Sequence, residues 1–192
     1  MSATVGIFGG TFDPPHFGHL AAAKRCQRAL GLDRVLLVVA NDPWQKSPSR
    51  RVSPATDRLA MVAECVASEP GLEACALEID RGGPSFTIDT VEILGVREEV
   101  IDPWIIVGSD LAGTLDSWER AEDLRGKVRV AVMSRPGSPL KLPAGWRAVA
   151  LESDELDVSS SAVRAAVSAG RAIDHLVPAE VVRHIQACGL YA

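Results

Sequence analysis

The chain has 192 residues, of which 47% are apolar and 23% charged, and a formal net charge of −5. That composition excludes disordered and fibrous classes and predicts one well-buried domain spanning residues 1–192. The acidic balance gives no chain-wide reason to bind nucleic acid or an anionic membrane surface, and no run has the length of a membrane span or the layout of a secretory leader. A small anionic ligand must then be held by local cations and backbone donors. Cys26, Cys65, Cys75 and Cys188 lie far apart without a C-x-x-C; they read as small buried hydrophobes of a reducing compartment, so the cytoplasm is the expected location.

In chain order, Thr4–Phe8 reads as a buried strand and Leu20–Leu30, rich in alanine, as a helix. Arg34–Val39 is a continuous apolar run, the mark of a strand covered on both faces. A polar, proline-broken loop from Asn41 to Arg51 follows. Ser53 and Pro54 read as N-cap and first position of a helix reaching Ser68, ended by Pro70-Gly71. Glu73–Asp80 alternates as a half-buried strand does, and Ser85 or Thr87 is a candidate cap for the helix carrying Ile88, Val91 and Leu94. Trp104–Val107 is the next buried strand, followed by a segment with Leu111, Leu115 and Trp118 and a short helix to Leu124. Val128–Met133 and Arg147–Leu151 read as strands with an Arg135-Pro136-Gly137 turn between them. Ser159-Ser160-Ser161 precedes a helix with Val163 and Val167, and Pro178 opens the last helix. Strands alternating with helices predict a three-layer, doubly wound α/β domain on a parallel sheet.

The stretch Gly9-Gly10-Thr11-Phe12-Asp13-Pro14-Pro15-His16-Phe17-Gly18-His19 is a strand-to-helix turn, the place where an open α/β sheet binds ligands and presents backbone N–H groups to them. The glycines admit a phosphate close to the backbone. If Phe17 opens the helix, His16 and His19 lie side by side at its positive end, an arrangement suited to a polyphosphate. A zinc half-site is the weaker reading, since no further ligand stands at zinc spacing nearby. Neither the G-x-G-x-x-G nor the Walker pattern is present. Thr87, Asp110, Ser160 and Arg164, with Lys46, all follow predicted strands and so can converge on the histidines. Ser159–Arg164 reads as a second anion-binding helix start, or as an ordinary serine cap with a solvated arginine.

The glycine-histidine stretch resembles the [HT]-x-G-H signature of the nucleotidyltransferase superfamily, and its longer form resembles the G-G-T-F-D-P-x-H-x-G-H of bacterial nicotinate-mononucleotide adenylyltransferases. Further stretches are similar in the same order. Asp42–Lys46 resembles the substrate loop, with Gln45 in place of His. Arg81–Thr90 resembles R-x-G-x-S-Y-T-x-D-T, with Phe86 in place of Tyr. Gly108-Ser109-Asp110 and Leu115–Trp118 resemble G-x-D and L-x-x-W, although Trp118 alone also fits a core aromatic. Arg135-Pro136-Gly137 matches R-P-G, and Val158–Arg164 resembles I-S-S-T-x-I-R. Val182–Tyr191 resembles the V-x-x-Y-I…G-L-Y tail, with His184 in place of Tyr.

The resemblance implies a Rossmann-like nucleotidyltransferase fold and transfer of AMP from ATP to nicotinate mononucleotide, giving deamido-NAD and pyrophosphate, with Mg²⁺ carried by the ATP phosphates and no metal held by the protein itself. It implies catalytic roles for His16, His19 and Arg164. ATP would be bound by these three with Gly9, Gly10, Thr11, Phe12, Gly108, Asp110, Arg135, Ser160 and Ser161. The nicotinate nucleotide would be bound by Asn41, Trp44, Lys46, Ser85, Thr87 and Trp118. Nicotinamide mononucleotide or phosphopantetheine is the alternative acceptor; a class I aminoacyl-tRNA synthetase lacks support in an acidic single domain, and a non-catalytic nucleotide sensor is expected to have lost the histidines or Arg164. Homo-oligomerisation is left open.

Overall fold

The computed structural model describes residues 3–42, 52–98, 100–134, 140–152 and 158–192. Six strands, β1 (Val5–Gly10), β2 (Arg34–Val39), β3 (Leu72–Cys75), β4 (Trp104–Gly108), β5 (Arg129–Met133) and β6 (Ala148–Leu151), form one sheet in the order β3-β2-β1-β4-β5-β6. Every pairing is parallel. The helices are α1 (Phe17–Leu30), α2 (Ala55–Val66), α3 (Leu77–Arg81), α4 (Thr87–Arg97), α5 (Ser109–Ala112), α6 (Ala121–Lys127), α7 (Ser160–Ser168) and α8 (Ala179–Cys188), with a 3₁₀ turn at Leu115–Ser117.

Strand alternation divides the core into two. Val35, Leu37 and Val39 of β2 face one cluster with Ala23 of α1, Met61 and Val62 of α2, Val163 of α7 and Ile185 of α8. Leu36 and Val38 face the other, with Ile88, Val91 and Leu94 of α4 and Leu124 of α6. The continuous apolar strand runs therefore reflect helices on both faces, as expected of a parallel sheet.

Four expectations are corrected. The alternating run Glu73–Asp80 is strand only to Cys75; Leu77–Arg81 is α3, in which Leu77 and Glu78 are buried. Its five residues carry too little periodicity to separate one helical turn from a strand. In α2, Pro54 itself occupies the N-cap position and Ser53 precedes it, and the helix stops at Val66. Neither Ser85 nor Thr87 caps α4: Phe86 is at the N-cap and Thr87 is the first helical residue. Of the cysteines, Cys26 and Cys65 are buried, whereas Cys75 is half-buried and Cys188 exposed. Burial pushes the Cys26 and Cys65 thiols up to about 12. The expected Arg135-Pro136-Gly137 turn lies outside the described residues.

Candidate active site

The sheet reverses its winding between β1 and β4, the position where open α/β sheets bind ligands beyond the strand ends. These two strands pair only at Gly6 with Trp104 and Ile7 with Ile105. Beyond that they part, and a cleft of about 550 Å³ opens between Phe8–Gly10 and Ile106–Gly108. Its floor is strand backbone and its rim is helix starts.

Gly9 and Gly10 are the last residues of β1 rather than part of the turn. A Cβ on Gly9 would meet nothing within 4 Å, so its missing side chain leaves open cleft. A Cβ on Gly10 would come to 2.8 Å from the Phe12 ring. Phe12 holds a left-handed φ of 49° with its ring buried, a strained backbone of the kind found where a loop is fixed for function. The Asp13–Pro14 bond is cis.

Phe17 does open α1, with His16 as an extended N-cap. The His16 backbone N–H donates to His19 Nδ1 at 3.2 Å. Acceptance at Nδ1 places a neutral ring's proton on Nε2. The two imidazoles stack with centroids 3.7 Å apart, and Phe12 meets His19 edge-on at 5.0 Å. His16 is buried and His19 half-buried, both on the cleft wall.

The start of α7 forms the facing wall. Ser159 caps the helix, its Oγ accepting from the Ala162 N–H at 3.2 Å. Ser160 Oγ donates to the Pro14 carbonyl at 2.9 Å, while Arg164 Nη1 donates to the Asp13 carbonyl at 2.7 Å and Nη2 to Ser161 Oγ at 3.2 Å. The arginine is thus braced on the histidine loop, contrary to the solvated reading. Tyr191 adds a third tie, its hydroxyl donating to Asp13 Oδ1 at 2.7 Å. Burial first, then Asp13, pushes the Tyr191 phenol up, which keeps it a donor.

Ser85, Thr87 and Trp118 also line the cleft, as do Gly108 at the end of β4 and Asp110 just beyond it. Trp118 is half-buried, with Nε1 donating to Thr114 Oγ1 at 3.2 Å; its ring lines the cleft and also packs against the second core cluster. Asn41 does not line the cleft; its backbone N–H donates to Ser85 Oγ and its side chain to the Gly83 carbonyl, both at 2.9 Å. It ties the end of β2 to the loop that carries Ser85. Trp44, Lys46 and Arg135 lie outside the described residues.

Arg58 of α2 was invisible to the motif reading. The residue is 1% exposed, and its guanidinium donates to the backbone carbonyls of Thr11 at 2.8 Å, Ala40 at 2.7 Å, Asn41 at 3.2 Å and Ser53 at 2.9 Å. It holds the ends of β1 and β2 together beneath the cleft. The available signal is its place on the buried stripe of Arg58, Met61, Val62 and Cys65, where a charge is expected only if paired. Glu78 and Thr90 are a second unforeseen pair, buried together with Thr90 Oγ1 2.6 Å from Glu78 Oε1.

A parallel sheet parted at its switch point, with stacked histidines on one helix start facing serines and an arginine on another, defines a nucleotidyltransferase site. The cytidylyltransferase-like family model matches residues 7–166. The chain is 38% identical over 198 residues to the probable nicotinate-nucleotide adenylyltransferase of Roseiflexus sp. (strain RS-1), covering 99% of this chain and 98% of that one. To its counterpart in Herpetosiphon aurantiacus it is 37% identical over 196 residues, covering 97% and 98%. The chain belongs to the nicotinate-nucleotide adenylyltransferase family. The fold is also that of the Plasmodium falciparum nicotinic acid mononucleotide adenylyltransferase solved with NaAD, at a TM-score of 0.83 and 16% identity over 98% of this chain and 97% of that one.

Proposed function

We propose that this chain transfers the adenylyl group of ATP to nicotinate mononucleotide, releasing pyrophosphate and forming deamido-NAD, a step of NAD biosynthesis. The observation that carries the reading is that the signature loop at Gly9–His19 and the Ser160–Arg164 helix start line one cleft and are hydrogen-bonded to each other, in a chain whose full-length relatives bear that activity in their names.

The chemistry asks for positioning and charge stabilisation. The acceptor's phosphate oxygen, already anionic at neutral pH, attacks the α-phosphorus of ATP, and the bond to the bridging oxygen breaks with its electron pair leaving on pyrophosphate. No general base or covalent intermediate is required. His19 Nε2–H donates to the phosphate oxygens as charge builds, and stacked His16 holds the ring's plane. The bare backbone at Gly9 gives the α-phosphate room, with the Thr11 and Phe12 backbone beside it. Ser161 and Arg164 hold the leaving phosphates. Asp110 takes a ribose, and Thr87 and Trp118 border the pyridine.

Mg²⁺ entering with ATP would supply charge neutralisation to the phosphates. The described walls offer imidazole, hydroxyl and guanidinium donors together with four carboxylates, Asp13, Glu78, Asp110 and Glu119; Asp13 accepts from Tyr191 and Glu78 from Thr90, and the donors suit an ion that arrives on the substrate phosphates.

The test is pyrophosphate release from MgATP with nicotinate mononucleotide, nicotinamide mononucleotide or phosphopantetheine as acceptor. Turnover favouring the nicotinate form is expected. Release with phosphopantetheine but neither pyridine nucleotide overturns the acceptor, and ATP binding without release overturns the catalytic reading.

A further inference from the structure

Next to Arg58 on α2, Asp57 meets His184 and Cys188 of α8. One ligand atom from each of the three lies within 4.8 Å of the others, and among the described residues this is the one grouping of three metal-ligating side chains. His184 and Cys188 are four apart on a helix and so share a face. His184 is also the residue that stands where the family tail resembled by Val182–Tyr191 has a tyrosine.

We propose that Asp57, His184 and Cys188 form a binding site for zinc or a similar borderline-soft divalent cation, separate from the nucleotide cleft. Four observations support it. His184 Nε2 is shut off from solvent and makes no hydrogen bond among the described residues, a state that a lone pair directed at a cation relieves. Asp57 Oδ1 lies 3.5 Å from that nitrogen, and in a tetrahedral zinc site with bonds of about 2.0–2.3 Å the ligand atoms sit roughly 3.3–3.7 Å apart. On the other side of the ring, Glu64 Oε1 lies 3.5 Å from His184 Nδ1, placed as the carboxylate that orients a metal-bound imidazole by taking its second N–H. The donor set of imidazole, thiol and carboxylate selects zinc over magnesium or calcium.

Cys188 ends α8 and is exposed, so a side-chain rotation closes its distance to the ion, and binding releases the thiol proton to solvent. Water completes the fourth position. None of the three residues lines the nucleotide cleft. Both helices nonetheless serve it: Asp57 precedes Arg58, and Tyr191 follows Cys188 by three residues. A metal here clamps α8 onto α2 and so steadies two supports of the signature loop.

The experiment is titration of the chelator-treated, reduced full-length protein with Co²⁺ and then Zn²⁺, read by absorbance and by thermal unfolding. One equivalent of Co²⁺ is expected to give the intense visible bands of a tetrahedral ion and a thiolate charge-transfer band, both displaced by Zn²⁺. Cys188→Ser, at an exposed position, keeps the apo unfolding temperature, loses the charge-transfer band and weakens binding by at least about tenfold. His184→Gln loses the tetrahedral spectrum and the rise in unfolding temperature with Zn²⁺. Weak octahedral bands alone in the wild type, or a charge-transfer band that persists in Cys188→Ser, overturns the site.

Discussion

Replacing Arg58 by methionine keeps the length and packing of the side chain and removes its donors. The carbonyls of Thr11 and Ala40, which accept from the guanidinium in its buried part, then lose a charged partner with no solvent to replace it. A buried carbonyl stripped of its donor costs about 1–3 kcal/mol, and the lost bonds to Asn41 and Ser53 in part-buried positions add less, so a loss of about 3–5 kcal/mol is expected. That is a large share of the roughly 5–15 kcal/mol by which a domain is stable. At this chain length about 2–4 °C is lost per kcal/mol, which predicts a fall in Tm of roughly 6–20 °C in nucleotide-free protein. Arg58→Lys, which keeps the charge but replaces the planar fork by one ammonium, should fall between the two. Thermal unfolding by circular dichroism measures all three. A methionine variant within about 2 °C of wild type refutes the view that this arginine holds β1 to β2.

His19→Ala is expected to lower kcat by at least about a hundredfold with Tm little changed, since the ring faces a cleft; near-wild-type kcat in a rapid pyrophosphate assay removes its assigned role. The two glycines should separate cleanly. Gly9→Ala leaves the unfolding temperature unchanged and raises KM for ATP, whereas Gly10→Ala, whose methyl strikes the Phe12 ring, destabilises by about 1–3 kcal/mol. A stability loss at Gly9 equal to that at Gly10 contradicts the assignment of open space. At the edge of the domain, hydrogen bonds from Trp146 Nε1 and then Arg125 hold the Asp116 carboxyl below the usual carboxylate range. A folded pKa below the unfolded one adds stability that is present above the unfolded value of about 3.9 and is lost as pH falls through the folded one. Asp116→Asn should therefore lower Tm at pH 7 and match wild type near pH 2; a gap that is the same at both pH values rejects the linkage.

The chain's architecture was legible wherever a physical requirement left a local mark. Arg34–Val39 is apolar throughout because helices cover both faces, and that alone announces a central parallel strand. The loop Gly9–His19 was legible because phosphate chemistry asks for bare backbone and ring donors at a helix start. What stayed hidden depends on partners distant in sequence. Leu77–Arg81 is a single helical turn whose form is decided by burying Glu78 against Thr90. Arg58 and Tyr191 reach Thr11 and Asp13 across 47 and 178 positions, and nothing in their own neighbourhoods names those targets. Asn41, which the resemblance places at the nicotinate nucleotide, fastens the Ser85 loop through bonds to Ser85 and Gly83, partners more than 40 positions away that its own neighbourhood does not name.

The ties that fix Asp13 and Pro14 come from Ser160, Arg164 and Tyr191. A chain made from its N-terminus onward therefore displays its signature loop early and supports it last. β1 also gains both of its sheet neighbours only after they have been synthesised, and such distant pairings form slowly. Until the residues around position 164 have emerged, the histidines have no opposite wall, so a partly synthesised chain has no closed site in which to trap or hydrolyse nucleotide. Nucleotide binding can thus report completion of the fold, and an assay for it during synthesis would read the arrival of the last sixth of the chain, from Ser160 onward.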